Sequence, residues 1–402
     1  MFLFQSEAKS KEMGAIHTER EIAQQPDLWL QTYQNMVSER ERIQTFLGTI
    51  LNRHSHVKVI LAGAGTSAFV GDTIQPYLQK VSGSNKLEFH SIPTTNIVSN
   101  PSEYLHADMP TIMISFARSG NSPESVASVE IGEKLVQDFY QVQITCNPDG
   151  YLAKKSTDQE KSLLLLMPKE SNDQGFAMTS SFTCMMLSAM LLFQTDRLEQ
   201  YESVIQHISR IGSHFLKNGT KRLATLAEKP FSNIVYLGSG SLLGLAHESS
   251  LKMLELVNGD IFTLYDSPLG FRHGPKTILN DKSLVVLMIS NNVYTRKYDL
   301  DLLKEIYREK EICSAHVLAI SDDFIEEVRE NSDYYLYTEL PEGSNDSLQG
   351  IEDAWLAFPF ILYGQVFALH KSLQLGFQPD NPCPSGSVNR IVQGVTIHPY
   401  SS

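Results

Sequence analysis

The sequence predicts an α/β protein built as two similar domains, each a mostly parallel sheet flanked by helices, and three observations predict it. Short apolar runs alternate with longer helix-like stretches along most of the 402 residues, as expected where crossover helices join parallel strands. The run VILAGAG at 59–65 returns as IVYLGSG at 234–240, which sets Gly63 and Gly65 opposite Gly238 and Gly240, 175 residues later. Two further strand ends keep the interval: Ser115 and Ser290 are again 175 apart, and Thr145 and Ser321 are 176 apart. A period held over three strand ends marks a repeated unit.

Taken in order, residues 15–50 have few helix breakers after Pro26 and read as a charged helical arm. VKVILAGAG at 57–65 is β-rich, apolar and closed by glycines, as a buried parallel strand should be. TIMI (111–114), QVQIT (141–145) and LLLLM (163–167) follow, with SPESVASVEIGEKLVQDF (122–139) as an intervening helix. The Pro-, Gly- and Ser-rich stretch from Asp380 is too irregular for a domain and reads as a tail laid over other surfaces. The expected divisions are an arm at 1–44, domains at 45–200 and 215–375 with a helical linker between them, and a tail at 376–402.

Composition narrows the function. Charged residues are 20%, hydrophobic residues 42%, and the net charge is −13. That balance suits a soluble protein and argues against nucleic acid as the main partner. The longest apolar runs, such as MMLSAMLLF at 185–193, fall short of the ~18–20 residues that cross a bilayer. The N-terminal apolar stretch, Phe2 to Phe4, is too short for a secretory signal. A cytoplasmic protein away from membranes is expected. Cys146, Cys184, Cys313 and Cys383 have no metal-ligand or redox spacing, so free thiols are expected, with neither metal nor cofactor.

Two loops stand where an open α/β sheet binds ligands, beyond the carboxyl ends of its strands. One is GAGTS (63–67) and the other is SFARSGNSPES (115–125). In the second, Ser122 sits at a helix N-cap position with Pro123 first in the helix. A helix N-terminus offers N–H groups and partial positive charge, and adjacent hydroxyls complete an anion site. Candidate phosphate ligands are Ser67, Arg118, Ser119 and Ser122, with the N–H groups near Gly120. A serine-rich loop alone is more often a solvated turn; two at neighbouring strand ends favour a site. GAGTSA also fits the loose dinucleotide pattern, but the next strand, LEFHSIPTTN, lacks the acidic residue that would hold a ribose.

In the second half, SLLGLAHESSLKMLELV (241–257) places Glu248, Lys252 and Glu255 at i, i+4 and i+7, a stripe about 60° wide on a helix. A solvated salt bridge would explain the spacing. Leucines and methionines surround the stripe, however, so burial is expected, and buried carboxylates beside a lysine cluster at functional sites. Next, His273 lies in a loop (DSPLGFRHGPKTIL, 266–279) where Gly274 and Pro275 fix the backbone, a suitable setting for acid–base work.

Together these residues resemble the sugar isomerase (SIS) domain family. The Gly-x-Gly-Thr-Ser turn, the Ser-Gly-x-Ser loop, the E-x-x-x-K-x-x-E helix and the HGP loop occur in that family's order, over about residues 15–395. REIAQQP (20–26) is similar to the arm before the paired SIS domains of glucosamine-6-phosphate synthase. SFARSGNSPES, FRHGPK and SGSVNRIVQGVTI are similar to galactosamine-6-phosphate deaminase/isomerases, also labelled tagatose-6-phosphate ketose/aldose isomerases. The resemblance implies two tandem SIS-type domains and a hexosamine 6-phosphate substrate. It implies phosphate contacts from Thr66, Ser67, Arg118, Ser119, Gly120 and Ser122. Gly65 and the backbone near Phe176, in the loop DQGFAMTSSFT (173–183), would line the sugar. Glu255 would be the base, Glu248 and Lys252 its supports, and His273 the ring opener, with a neighbouring subunit of a homo-oligomer as one source. Gln393 stands where the synthase has a tail lysine, and the interval from helix to HGP is two residues longer. Alternatives are isomerisation without deamination and a non-catalytic sugar-phosphate-binding module.

Overall fold

The two sets of β-branched and leucine-rich runs form two separate parallel sheets. The structure, a computed structural model, describes residues 6–82, 85–157, 159–340, 350–390 and 394–400. In the first sheet, β1 (Val57–Ala62), β2 (Leu87–Ser91), β3 (Thr111–Ala117), β4 (Phe139–Thr145) and β5 (Ser162–Leu166) lie in the order β2-β1-β3-β4-β5. In the second, β6 (Asn233–Leu237), β7 (Phe262–Asp266), β8 (Ser283–Met288), β9 (His316–Ser321) and β10 (Tyr334–Tyr337) lie in the order β10-β9-β8-β6-β7. Read from β7, that is the same order as in the first sheet, and every pairing is parallel. β3 and β8 are buried along their whole length, which is why they read as unbroken apolar runs.

The duplicated glycines have duplicated geometry. Gly65 (φ 55°, ψ −132°) and Gly240 (φ 58°, ψ −125°) each precede a 16-residue helix, Thr66–Val81 and Ser241–Leu256. These positive φ values favour glycine. A Cβ at Gly63 would come within 2.3 Å of the Ser67 carbonyl carbon, and one at Gly238 within 2.3 Å of the Leu242 carbonyl oxygen. The helix therefore starts tight against its strand in both copies. Strand ends differ from the expected Ser115 and Ser290. β3 runs on to Ala117 because Phe116 and Ala117 pair with Ile144 and Thr145 of β4, and β8 stops at Met288.

The chain divides into two compact units. One comprises Met1–Pro26, Gln174–Ala177 and Ser203–Pro384 and contains the second sheet; the other comprises Asp27–Asp173, Met178–Glu202 and Ser385–Ser402 and contains the first. Within the unit of the second sheet, the helix Asp353–Gln374 packs along Ser241–Leu256. The Ser372 hydroxyl donates to the Leu256 carbonyl (2.6 Å), and Gly364 sits so close that a Cβ there would be 2.9 Å from the Ser249 hydroxyl. The helix that carries the Glu/Lys/Glu stripe is thus covered along one side by another helix of its unit. Among the described residues, no helix is long and apolar enough to cross a membrane.

Candidate active site

The loop after β3 is braced from behind and open in front. Asn147, in the loop after β4, donates its side-chain N–H to the Ser119 carbonyl (2.9 Å), and the Leu152 N–H donates to the Gly120 carbonyl (3.1 Å). Gly120 takes φ 66° with Gly150 against it, since a Cβ there would lie 3.5 Å from Gly150 Cα. Ser122 occupies the N-cap position of the helix Pro123–Leu135 but makes no side-chain cap; its hydroxyl donates to Ser125 Oγ (2.6 Å). The loop borders a pocket of about 280 Å³ lined by Gly65, Ser67, Arg118, Ser119, Ser122 and Arg390 among others. Thr66 and Gly120 do not line it. Thr66 is buried at the helix start, and Gly120 shapes the turn behind. Arg118 is 6% exposed and donates to the Arg390 carbonyl (3.3 Å). The nearby Cys146 thiol is pushed up to about 12 by burial and is not a nucleophile at neutral pH.

The segment 173–183 is fixed by two buried carboxylates. Asp173 accepts the N–H groups of Thr179 (2.9 Å), Ser180 (3.1 Å) and Ser181 (2.9 Å) at the start of the helix Ser180–Leu192, together with the Ser181 hydroxyl (2.5 Å). Glu21, on the helix Ile16–Ala23, accepts the N–H groups of Gln174 and Gly175, the latter at 3.1 Å. Gly175 is pressed so close that a Cβ would lie 2.8 Å from Thr18 Oγ1. Phe176, next along, is partly buried.

The stripe is gathered as its spacing predicts. Glu248 and Lys252 are fully buried, with Nζ 3.6 Å from Oε1. Lys252 also donates to Glu255 Oε2, and the Glu255 side chain is 25% exposed. Of the two carboxylates, only Glu255 has access to solvent, and so to a ligand. His273 is exposed, and its ring makes no hydrogen bond among the described residues. Its loop is held instead by Gly274 (φ 128°) and by Arg272, which donates to Glu305 (2.9 Å).

The second copy treats the equivalent strand end differently. The Ser290 N–H donates to Asp299 (2.9 Å), the Asn291 N–H to Asp353 (2.7 Å), and the Ser239 hydroxyl to Asp299 (3.0 Å). The protein's own carboxylates occupy these donors. Burial pushes Asp299 up to about 6 and raises Asp353 as well.

The SIS domain model matches residues 53–195. Over 387 residues, 96% of each chain, the sequence is 42% identical to D-galactosamine-6-phosphate deaminase AgaS of Escherichia coli. The AgaS of Shewanella sp. (strain ANA-3) is 41% identical over 390 residues, covering 96% of this chain and 93% of that one. The chain belongs to the SIS-domain family, in the branch of these AgaS proteins. The structure of tagatose-6-phosphate ketose/aldose isomerase from E. coli, 40% identical, superposes on this SIS protein with a TM-score of 0.83, covering 96% of this chain and 97% of that one. Sequence reading missed three residues of this SIS protein: Arg390, Glu21 and Asp173. Gln393 lies outside the described residues.

Proposed function

We propose that the protein is a deaminating aldose–ketose isomerase of a hexosamine 6-phosphate, converting D-galactosamine 6-phosphate to tagatose 6-phosphate and ammonia. One observation carries the reading: fully buried Lys252 is paired with the part-exposed carboxylate of Glu255. A carboxylate beside a fixed cation, with one side open, is equipped to take a proton from carbon. In this reading the phosphate rests on Ser67, Arg118, Ser119 and Ser122, with Thr66 and Gly120 shaping the turns. Gly65 and the backbone near Phe176 face the sugar. Residues 45–200 then form the phosphate-holding domain and 215–375 the base-bearing domain, between an arm at 1–44 and a tail at 376–402.

His273 assists opening of the pyranose to the aldehyde. Its exposure supports supply from a neighbouring copy in a homo-oligomer. Glu255 removes the C2 proton, and the C–H electron pair forms the C1–C2 double bond as the aldehyde oxygen takes a proton. The enolamine is reprotonated at C1 and becomes an imine at C2. Water adds to that carbon, ammonia leaves, and the ketose remains. Lys252 supplies positive charge beside the base, and Glu248 balances Lys252. With a hydroxyl at C2 the same proton transfer gives simple isomerisation, a second reading favoured by the likeness to the E. coli isomerase structure. We place the reaction in the cytoplasm.

The test is turnover. Ammonia and tagatose 6-phosphate formed in equal amounts from galactosamine 6-phosphate support the proposal. Conversion of tagatose 6-phosphate to its aldose without ammonia release from the amino sugar selects the second reading. Binding without turnover of either leaves a sugar-phosphate-binding module.

A further inference from the structure

The C-terminal tail carries a guanidinium into the hydroxyl-lined pocket, beside that of Arg118. Arg390 lines the pocket with Arg118, Ser119 and Ser122. Its own carbonyl accepts from Arg118, and its guanidinium donates to the carbonyl of Asp173. That carbonyl carries no net charge. The Asp173 carboxylate, which could have neutralised the arginine, is turned instead to the N–H groups of Thr179, Ser180 and Ser181. Among the described residues, Arg390 forms no ion pair. A guanidinium has five N–H donors in a fixed fork, so the bond to Asp173 orients the group and leaves most of its donors available. In a chain of net charge −13, an arginine held by a neutral carbonyl at the rim of an anion pocket is placed for a ligand.

We infer that Arg390 is a phosphate-binding residue: the tail supplies the second guanidinium of the site and holds the substrate phosphate together with Arg118 and the Ser119–Ser122 turn. The inference rests on the pocket being the phosphate site. Paired arginines suit a dianion, because each can present two N–H groups to two oxygens. Glu124, the carboxylate on the same lining, would repel a dianion. The second arginine offsets it.

The experiment measures the affinity of the full-length protein for inorganic phosphate by calorimetry, and steady-state kinetics with galactosamine 6-phosphate, for Arg390→Ala, Arg390→Lys and Ser119→Ala. For Arg390→Ala, the dissociation constant for phosphate and the KM should rise about 10- to 100-fold, the loss of a charge-assisted contact. kcat should change far less, and phosphate binding should become less sensitive to salt. Arg390→Lys keeps the charge and should lose less than Arg390→Ala. Wild-type phosphate affinity in Arg390→Ala, with weakened binding in Ser119→Ala, would overturn the role of Arg390 and leave the pocket standing. Wild-type affinity in both would overturn the pocket and this inference with it.

Discussion

Replacing Lys252 by Met keeps the length of the side chain and removes its charge. Lys252 and Glu248 both have 0% exposed side chains, 3.6 Å apart. In wild type, the desolvation of each charge is offset by the other. Removing one partner of a buried pair costs about 3–5 kcal/mol, because the remaining charge keeps its desolvation penalty and loses its counter-charge. Glu255 should contribute much less to this loss, since its side chain is 25% exposed and water can take over part of its stabilisation. We therefore expect Lys252→Met to be destabilised by about 3–5 kcal/mol in urea unfolding. The double variant Lys252→Met/Glu248→Gln should regain much of the loss, because it leaves no buried charge. The stripe would be refuted as a buried ionic unit by a single variant as stable as wild type, or by a double variant no better than the single.

Three further outcomes are expected. Glu255→Gln should lower kcat at least ~10²-fold with little change in phosphate affinity, and should abolish exchange of the C2 proton with solvent deuterium; exchange at the wild-type rate in the folded variant would move the base elsewhere. Ser119→Ala and Ser122→Ala should each weaken substrate binding by ~1.5–3 kcal/mol, measured by competition with inorganic phosphate, and unchanged affinity in both would remove the phosphate assignment. Asp299, pushed up to about 6 by burial from an ordinary 3.8, takes up its proton more readily folded than unfolded. Its contribution to stability, at most about 3 kcal/mol, is full below the unfolded value and is lost as pH rises through about 6. Asp299→Asn should flatten that part of the stability profile between pH 4 and 7, and a profile that still falls as in wild type would contradict the assignment.

What could be read from the sequence was whatever is local or periodic. The repeat was legible because each Gly-x-Gly is demanded by the backbone itself: one glycine takes positive φ and the other lies against the next helical turn. The stripe was legible because i, i+4, i+7 spacing places three side chains on one face whatever the tertiary fold. The contacts that finish the candidate site are of another kind. Glu21 meets Gly175 across 154 positions, and Arg390 meets Asp173 across 217. No propensity or period encodes a pairing between a helix in the arm, a loop and a tail. The N-cap position was local as well, though not the direction of its hydroxyl. Ser122 stands at the N-cap, but its hydroxyl turns to Ser125, because the adjacent Ser125 side chain offers an acceptor at 2.6 Å. That turn leaves the helix N-terminus without a side-chain cap, the arrangement that an anion site needs.

The two copies of the fold use the same strand end in opposite ways, and the difference has a physical cause. In an open α/β sheet, the loops beyond the carboxyl ends gather N–H groups and hydroxyls that must find acceptors. In the first copy the loop 118–122 brings hydroxyls and an arginine, with Glu124 the one carboxylate on the lining among the described residues, and leaves a pocket. In the second, Ser239, Ser290 and Asn291 find their acceptors in Asp299 and Asp353, within the chain. An external dianion placed there would displace one carboxylate and stand beside the other. Duplication supplied two equivalent loops, and the acidic residues of the second copy close one of them. In the function proposed above, that copy contributes instead through the helix that follows its Gly-x-Gly turn, where Lys252 lies between Glu248 and the part-exposed Glu255.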